Sequence, residues 1–206
     1  MLFGGAADAM RRQALPPIRE ALARRASAGA PPRDAAILDV ACGAGAFLRE
    51  LKANFPAARV AGLDLSPDYL SLAAERLADW RRGVDFVHAP AEEMPFEDAS
   101  FDVVTSVYLF HELPQKVRLA VAREVARVLK PGGVFVFVDT IMEGDHPPFD
   151  GLLARFPVQF HEPYYAEYVR SDVAALFEEA GLQVDGVDRA FLSRVMTLRK
   201  PDAARG

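Results

Sequence analysis

The sequence predicts an α/β protein with a doubly wound, mostly parallel sheet of seven strands that ends in an antiparallel C-terminal hairpin. Three observations lead to this prediction. Strand-like apolar runs alternate with amphipathic helical segments between residues 36 and 139. The run at 133–139 is continuously apolar, as expected for a central strand that is covered on both faces. The runs at 182–190 and 193–199 have no helix between them, so they must pair antiparallel.

The first elements are a helical region and then alternating strands and helices. Residues 7–28 are expected to be helical with an interruption at Pro16-Pro17. The further strands are expected at 36–41, 58–64, 84–88 and 101–107, and the helices at 45–54, 67–82 and 114–129. Ser66 can cap the helix at 67–82. The valines of the helix at 114–129 share one face, which predicts that Arg118 points away from the core.

The pattern changes after the fifth strand. Residues 141–170 contain four prolines and no clean periodicity. A helix is expected at 172–180, with Ser171 as its cap and Gly181 as its end. Because 206 residues are most simply one domain, we assign residues 1–30 to a helical cap on that single domain, 1–206.

The most informative segment is a buried strand that runs through Asp39 into a glycine turn at Gly43 and Gly45. A second strand ends at Asp64. A glycine turn lets the backbone approach a ligand closely, and a carboxylate at the end of the next strand can bind ribose hydroxyls. The pattern therefore predicts a nucleoside-binding βαβ unit.

Two features of this unit argue against a dinucleotide. The dinucleotide fingerprint has a third glycine where this chain has Leu48. Asp39 lies just before the turn, where it would repel a pyrophosphate and would suit a cation. S-adenosylmethionine carries a sulfonium, an ammonium and a ribose but no phosphate, and this charge pattern fits the acids on both sides of the turn.

Five motifs in order make the chain resemble the class I S-adenosylmethionine-dependent methyltransferases, in particular the small-molecule enzymes related to the ubiquinone-biosynthesis methyltransferases. The motifs lie at 39–45, 62–66, 89–96, 101–104 and 128–133. The resemblance runs from about residue 36 to 133 and continues more weakly to the C-terminus. It implies a Rossmann-like methyltransferase fold and S-adenosylmethionine as the cofactor.

The resemblance implies a cofactor site at the carboxyl ends of the strands. Its expected residues are Asp39, Ala41, Gly43, Gly45, Asp64, Leu65, Ala91, Glu92 and Ser106. Ala41 replaces the family's usual glycine, which requires a negative φ at this position. Pro90 stands where the family usually has an acid that binds the adenine amine, so that contact is lost or passes to Glu92.

The acceptor is expected beside the fourth and fifth strands, next to Tyr108 and His111. An oxygen, carbon or protonated nitrogen acceptor must lose a proton during methyl transfer, and imidazole suits that role near neutral pH. His111 is therefore the candidate general base, with packing at the start of the next helix as the alternative. Glu112 can orient it, with a solvated Glu112 as the alternative, since neighbours in sequence often point apart.

Six aromatic residues fall between positions 149 and 168. Loops on the binding side of such a sheet usually carry specificity. We therefore predict that 141–170 is an acceptor-binding insert, in which His161, Tyr164 and Tyr165 shape a pocket for a partly apolar small molecule. The alternative is that these rings only cover the edge of the sheet.

Composition argues against several other classes of protein. The net charge of −5 argues against a nucleic-acid partner. A single cysteine, Cys42, allows no intramolecular disulfide and indicates a reducing, cytoplasmic compartment. No apolar run reaches the roughly 18 residues of a membrane helix. The four histidines show no close ligand spacing, so no metal site is predicted, and the oligomeric state stays open.

Two other functions stay open beside methyl transfer to a small organic acceptor. One is a non-catalytic module that binds S-adenosylmethionine, for which the changes at Ala41 and Pro90 leave room. The other is a nicotinamide-dependent oxidoreductase, against which Leu48 and Asp39 count. The acceptor atom is not identified by the sequence.

Overall fold

The computed structural model describes residues 4–80 and 83–202, with side chains from Asp8 onward. Its strands are β1 (Ala36–Val40), β2 (Arg59–Asp64), β3 (Val84–His88), β4 (Phe101–Val107), β5 (Leu129–Thr140), β6 (Gln183–Ala190) and β7 (Ser193–Arg199). In this part of the chain they form one sheet in the order β3-β2-β1-β4-β5-β7-β6. The first five strands pair parallel, and β7 pairs antiparallel with β5 and β6. The predicted fold class is confirmed.

Helices cover both faces of the sheet. They are α1 (Gly4–Arg12), α2 (Leu15–Ser27), α3 (Ala46–Asn54), α4 (Pro67–Arg76), α5 (Gln115–Val128), α6 (Asp150–Phe160), α7 (Tyr165–Tyr168) and α8 (Val173–Glu179). One apolar cluster joins α2, α3 and α4 to the sheet through residues such as Ile18 and Leu51. A second cluster joins α5, α7 and α8 to the opposite face through residues such as Val125 and Phe177. This is the doubly wound arrangement, which leaves the ends of the strands free for a ligand.

Prolines explain two differences from the predicted helices. The break in the N-terminal helical region falls at Gln13-Ala14, because Pro16-Pro17 fits the first turn of α2, where backbone N–H groups need no helical partner. The segment 141–170, expected to be irregular, contains α6 and α7. Helix α6 continues through Pro157, which costs a backbone hydrogen bond and is therefore not expected from the sequence.

The helix after β2 is shorter than predicted. Ser66 caps it as expected, since its Oγ accepts a hydrogen bond from the backbone N–H of Tyr69 at 3.3 Å. The α-helix ends at Arg76 and is followed by a 3₁₀ turn at Ala78–Trp80. Residues 81 and 82, the last two of the predicted helix, lie outside the described chain.

The cap of α8 is one residue away from the predicted one. Asp172 is the cap, and its Oδ1 accepts a hydrogen bond from the backbone N–H of Ala175 at 3.0 Å. The hydroxyl of Ser171 donates instead to the carbonyl of Tyr168 at 2.7 Å. Serine and aspartate are equally good caps, so the sequence does not decide between neighbours. Gly181 follows the helix with a φ of +89°, as predicted.

Leu48 and Gly62 explain how the glycine turn packs without the third glycine of a dinucleotide site. Leu48 on α3 is fully buried. A Cβ on Gly62 of β2 would lie 2.6 Å from Cδ1 of Leu48 and 2.9 Å from Sγ of Cys42. The small residue that permits close helix–strand packing is therefore on the strand, and the large one is on the helix.

Candidate active site

A cleft of about 670 Å³ lies at the carboxyl ends of β1, β2 and β4. Ligand sites typically measure about 300–1,000 Å³ and occur at this edge of an open parallel sheet. Of the residues predicted to bind the cofactor, the cleft is lined by Asp39, Ala41, Gly43, Asp64, Leu65, Ala91 and Glu92. The structure does not bring Gly45 or Ser106 into this lining. Gly45 packs against Ala73 of α4, and Ser106 is buried within β4.

Asp39 is a buried carboxylate at the floor of the cleft. Its Oδ1 accepts a hydrogen bond from the hydroxyl of Thr105 on the neighbouring strand at 2.7 Å. Burial raises the pKa of Asp39 to about 7, although the bond from Thr105 and the charge of Arg11 act in the opposite direction. A cation in the cleft would stabilise the ionised form, so this end of the site suits a positively charged ligand.

Asp64 joins the end of β2 to the glycine turn. One carboxylate oxygen accepts the backbone N–H of Gly43 at 2.7 Å, and the other accepts the backbone N–H of Ser66 at 2.9 Å. A carboxylate offers about four acceptor positions. Two positions are therefore left for hydroxyl groups of a ligand.

The negative φ predicted for Ala41 is wrong. Ala41 has a φ of +57°, in the left-handed region, which costs a residue with a Cβ about 1–2 kcal/mol. The turn is held on both sides by backbone hydrogen bonds of 3.0 Å, from Cys42 N to Leu63 O and from Gly45 N to Cys42 O. These bonds impose the conformation, because the chain must reverse from β1 into α3 within a few residues.

The opposite end of the cleft is lined by Leu65, Ala91 and Glu92. The side chain of Leu65 is two-thirds exposed there, while its carbonyl lies 2.9 Å from Nε2 of His88. Glu92 is the acid that lines this end beyond Pro90. Arg11 of α1 also lines the cleft. The sequence does not reveal this role, because nothing local to α1 shows which strand ends it approaches.

A smaller pocket of about 240 Å³ adjoins the cleft. Its lining consists of Met10, Tyr108, His111, Glu112, Thr140, Leu152, Leu153, Phe156, Tyr165, Leu192 and Ser193. Tyr108 and Glu112 line both cavities, so the two spaces meet at these residues. We call this smaller space the apolar pocket, because most of its wall is hydrocarbon or aromatic ring.

Three of the predicted acceptor residues lie in the apolar pocket and two do not. Tyr108, His111 and Tyr165 line it. The hydroxyl of Tyr165 lies 2.8 Å from the hydroxyl of Thr140, and burial raises the pKa of Tyr165 to about 12. The structure does not bring the side chains of His161 or Tyr164 into the lining. His161 is exposed at the end of α6, and Tyr164 is 40% exposed.

His111 is oriented by Asp139 rather than by Glu112. Nδ1 of His111 lies 2.6 Å from Oδ1 of Asp139, whereas Nε2 lies 4.0 Å from the carboxylate of Glu112. Burial by itself lowers the pKa of His111, but the charge and hydrogen bond of Asp139 outweigh it, and the pKa lies above its ordinary value. Like Asp39 and Asp64, Asp139 lies near the carboxyl end of a strand. That shared position is the sequence feature by which Asp139 could have been recognised as a site residue.

Arg118 is buried, so the prediction that it points away from the core is wrong. It is 1% exposed. Its guanidinium donates to the carbonyl of Phe110 at 3.0 Å, to the carboxylate of Glu167 at 2.7 Å and to the carbonyl of Tyr164 at 3.2 Å. It thereby ties the turn that carries His111 to α7. The sequence could not show this, because the partners come from separate parts of the chain.

Residues 37–133 match the family described as methyltransferase domain. A demethylmenaquinone methyltransferase from Bacillus licheniformis is 32% identical over 174 residues, which cover 74% of this chain and 72% of that protein. This chain belongs to the S-adenosylmethionine-dependent methyltransferases.

Two other methyltransferases are similar to this chain. A fatty-acid O-methyltransferase from Mycolicibacterium smegmatis is 37% identical over 126 residues, and the match covers 60% of this chain but only 43% of that protein. An S-adenosylmethionine-dependent methyltransferase from Aquifex aeolicus has the same fold, with a TM-score of 0.62 and 22% identity over 81% of this chain and 82% of that chain. Within its described residues, the methyltransferase has no helix with the length and apolarity required to cross a membrane.

Proposed function

We propose that the protein transfers a methyl group from S-adenosylmethionine to a small, partly apolar organic acceptor. The proposal rests on one observation: two unlike cavities meet at Tyr108 and Glu112. One is lined by buried acids at the strand ends, and the other is mostly apolar and contains an oriented histidine. Two cavities that share a wall can hold two reactants side by side, which is the main requirement of a displacement reaction.

The cleft fits S-adenosylmethionine in charge and in hydrogen-bonding groups. The free acceptor positions of Asp64 suit the ribose hydroxyls, and Asp39 suits the cationic end of the molecule. Arg11 and Arg76 are the cations in the lining, and Arg11, whose charge acts on Asp39, suits the amino-acid carboxylate. Ala91 and Glu92 suit the adenine. When bound, S-adenosylmethionine supplies an electrophilic methyl group and leaves as S-adenosylhomocysteine.

His111 acts in this proposal as the general base. Asp139 accepts the hydrogen on Nδ1, which leaves Nε2 to face the apolar pocket as a proton acceptor. The completely buried carboxylate of Asp139 also stabilises the imidazolium that forms when the proton arrives. His111 therefore takes the acceptor's proton while the pocket holds the acceptor beside the cleft.

Binding and turnover test this function separately. Calorimetry should show binding of both S-adenosylmethionine and S-adenosylhomocysteine but not of NAD. Asp64→Ala should weaken both affinities by ~1–3 kcal/mol, because a charged acceptor of hydrogen bonds is lost. Glu75→Ala, an exposed change on α4, is the matched control. Unchanged affinity in Asp64→Ala would remove it from the site, and binding without turnover of any acceptor would favour a non-catalytic module.

A further inference from the structure

Three hydrogen-bond acceptors lie close together beside the apolar pocket, and two of them, His111 and Glu112, line it. One nitrogen of the His111 ring and one carboxylate oxygen each of Glu112 and Glu162 all lie within 4.8 Å of one another. His111 is 8% exposed, and Asp139 engages its Nδ1, so Nε2 is the nitrogen that faces the two carboxylates. We call these three groups the acceptor triad.

The acceptor triad carries an excess of negative charge. In the described part of the chain, neither Glu112 nor Glu162 pairs with a lysine or arginine, and none of the residues described as lining the apolar pocket is a lysine or arginine. Burial raises the pKa of Glu112, and the charge of Glu162 adds to this effect. Both glutamates would repel a carboxylate acceptor, whereas a cation would relieve their mutual repulsion.

The acceptor triad has room for an ammonium group or for a metal ion. Around a tetrahedral ammonium with hydrogen bonds of about 2.8 Å, the accepting atoms lie about 4.6 Å apart. Around a tetrahedral zinc ion with bonds of about 2.1 Å, the ligand atoms lie about 3.4 Å apart. Nε2 of His111 and the nearest Glu112 oxygen are 4.0 Å apart, and the upper limit for the triad is 4.8 Å. The 4.0 Å separation lies midway between these two values, so the apolar wall of the adjoining pocket, and not the spacing, favours an organic ammonium over a bare metal ion.

Building on the methyl transfer proposed above, we propose that the acceptor is a primary or secondary amine on an apolar body. The ammonium donates its hydrogens to the acceptor triad, and the body lies against Leu152, Phe156 and Tyr165. Charge complementarity at the mouth and hydrocarbon in the pocket together select this class over fatty acids and other carboxylates.

The reaction balances with the groups present. The bound ammonium gives one proton to Nε2 of His111, which becomes an imidazolium held by Asp139. The freed lone pair on nitrogen forms the new N–C bond to the methyl carbon. The C–S bond of S-adenosylmethionine breaks, and its electron pair goes to sulfur. The products are the N-methylated amine and S-adenosylhomocysteine, and the proton on His111 is released to solvent.

A matched set of acceptors tests the inference. The full-length protein is assayed with 2-phenylethylamine, 2-phenylethanol and phenylacetic acid, and with hexylamine, hexanol and hexanoic acid, and products are identified by mass. We expect kcat/KM for the amines to exceed that for the other compounds by about 10²-fold. This ratio corresponds to the free energy of one or two charged hydrogen bonds. Preferred methylation of an alcohol or acid would overturn the amine inference and leave methyl transfer intact. No product from any compound, with the cofactor bound, would overturn both.

Variants that change the charge of Glu162 test whether the acceptor triad binds the ammonium. Glu162→Gln should raise the KM for the amines about tenfold with little change in thermal stability, and Glu162→Lys should move the preference toward the acids. Glu178→Gln, an exposed change on α8, is the control and should leave the KM unchanged. An equal effect of Glu162→Gln on amines and alcohols would contradict the inference. So would activity that chelators abolish and a divalent metal restores.

Discussion

Nδ1 of His111 lies 2.6 Å from Oδ1 of Asp139, and the same carboxylate also accepts backbone hydrogen bonds from Phe110 at 2.9 Å and Thr140 at 2.7 Å. Asp139 thus orients both the ring of His111 and the turn that carries it. Its position follows from the sheet register, in which Val107 pairs with Val138 and Tyr108 N donates to Val138 O at 2.8 Å. The end of β5 is therefore held beside the loop after β4.

The first prediction concerns the pH dependence that Asp139 gives to His111. The groups around His111 are Asp139 on β5, Glu112 on its own turn, Glu162 after α6, and the rings of Tyr108, Tyr165 and Tyr168. Because the pKa of His111 is raised, kcat/KM should fall as pH drops through a value above 6.5. Asp139→Asn removes a negative charge, so the pKa of His111 and this limb of the profile should move to lower pH.

Rate measurements and NMR of the His111 ring check this prediction together. The maximal rate of Asp139→Asn should also fall, and His111→Ala should lose roughly 10²-fold or more in kcat with nearly normal cofactor affinity. His146→Gln is the control, since His146 stacks on Phe149 away from the site lining. A profile that does not shift in Asp139→Asn would rule out this coupling.

The second prediction concerns proton release at Asp39. With a pKa of about 7 in the free protein, Asp39 is partly protonated at neutral pH. A cationic ligand favours its ionised form, so S-adenosylmethionine should bind more tightly as pH rises from about 6 to about 8 and should release a fraction of a proton. Calorimetry in two buffers of different ionisation enthalpy measures that proton. Asp39→Asn should abolish the dependence, and its persistence in this variant would assign the proton elsewhere.

Asp39 should also affect the pH dependence of folding. Its pKa is raised from 3.8 in the unfolded chain to about 7, so the folded protein binds the extra proton in that interval. The contribution of Asp39 to the free energy of unfolding is therefore fully present below pH 3.8 and is lost as pH rises through about 7. Urea titrations at several pH values give the free energies of unfolding of the wild type and of Asp39→Asn. The difference between these two free energies should change between pH 3.8 and about 7.

The third prediction concerns the strained turn. Ala41→Gly should raise the free energy of unfolding by about 0.5–1 kcal/mol, since relief of the left-handed strain exceeds the extra chain entropy of glycine. Ala99→Gly is the matched control, because Ala99 has a φ of +53° in an exposed turn outside the cleft. Both variants should be stabilised, and only Ala41→Gly should change cofactor affinity. Loss of stability in Ala41→Gly would show that the methyl group of Ala41 contributes more packing than strain.

The fourth prediction compares two adjacent tyrosines. Tyr165 is buried in the wall of the apolar pocket, and its ring stacks on Phe156 with centroids 4.7 Å apart. Tyr165→Ala should raise the acceptor KM or change acceptor preference while cofactor affinity stays the same. The exposed neighbour serves as the comparison, since Tyr164→Ala should leave both quantities near normal. If Tyr165→Ala lowers only the melting temperature, Tyr165 has a structural role alone.

The sequence by itself determined the fold and the cofactor end of the site. Alternating periodicities specify strands and helices because each element must bury one face, and the absence of a helix between β6 and β7 leaves only antiparallel pairing. Asp39, Gly43 and Asp64 were recognisable because a turn and the strand ends beside it are local features of the chain.

Only the tertiary structure decided the acceptor end. Asp139 is 28 residues from His111 in sequence, yet the two hydrogen-bond because β4 and β5 are adjacent and in register. Glu162 reaches the same point from the end of α6, and Arg118 is buried because distant carbonyl and carboxylate groups receive its donors. Local patterns record which face of an element is apolar. They do not record which polar side chains from separate elements meet, because packing between those elements determines that.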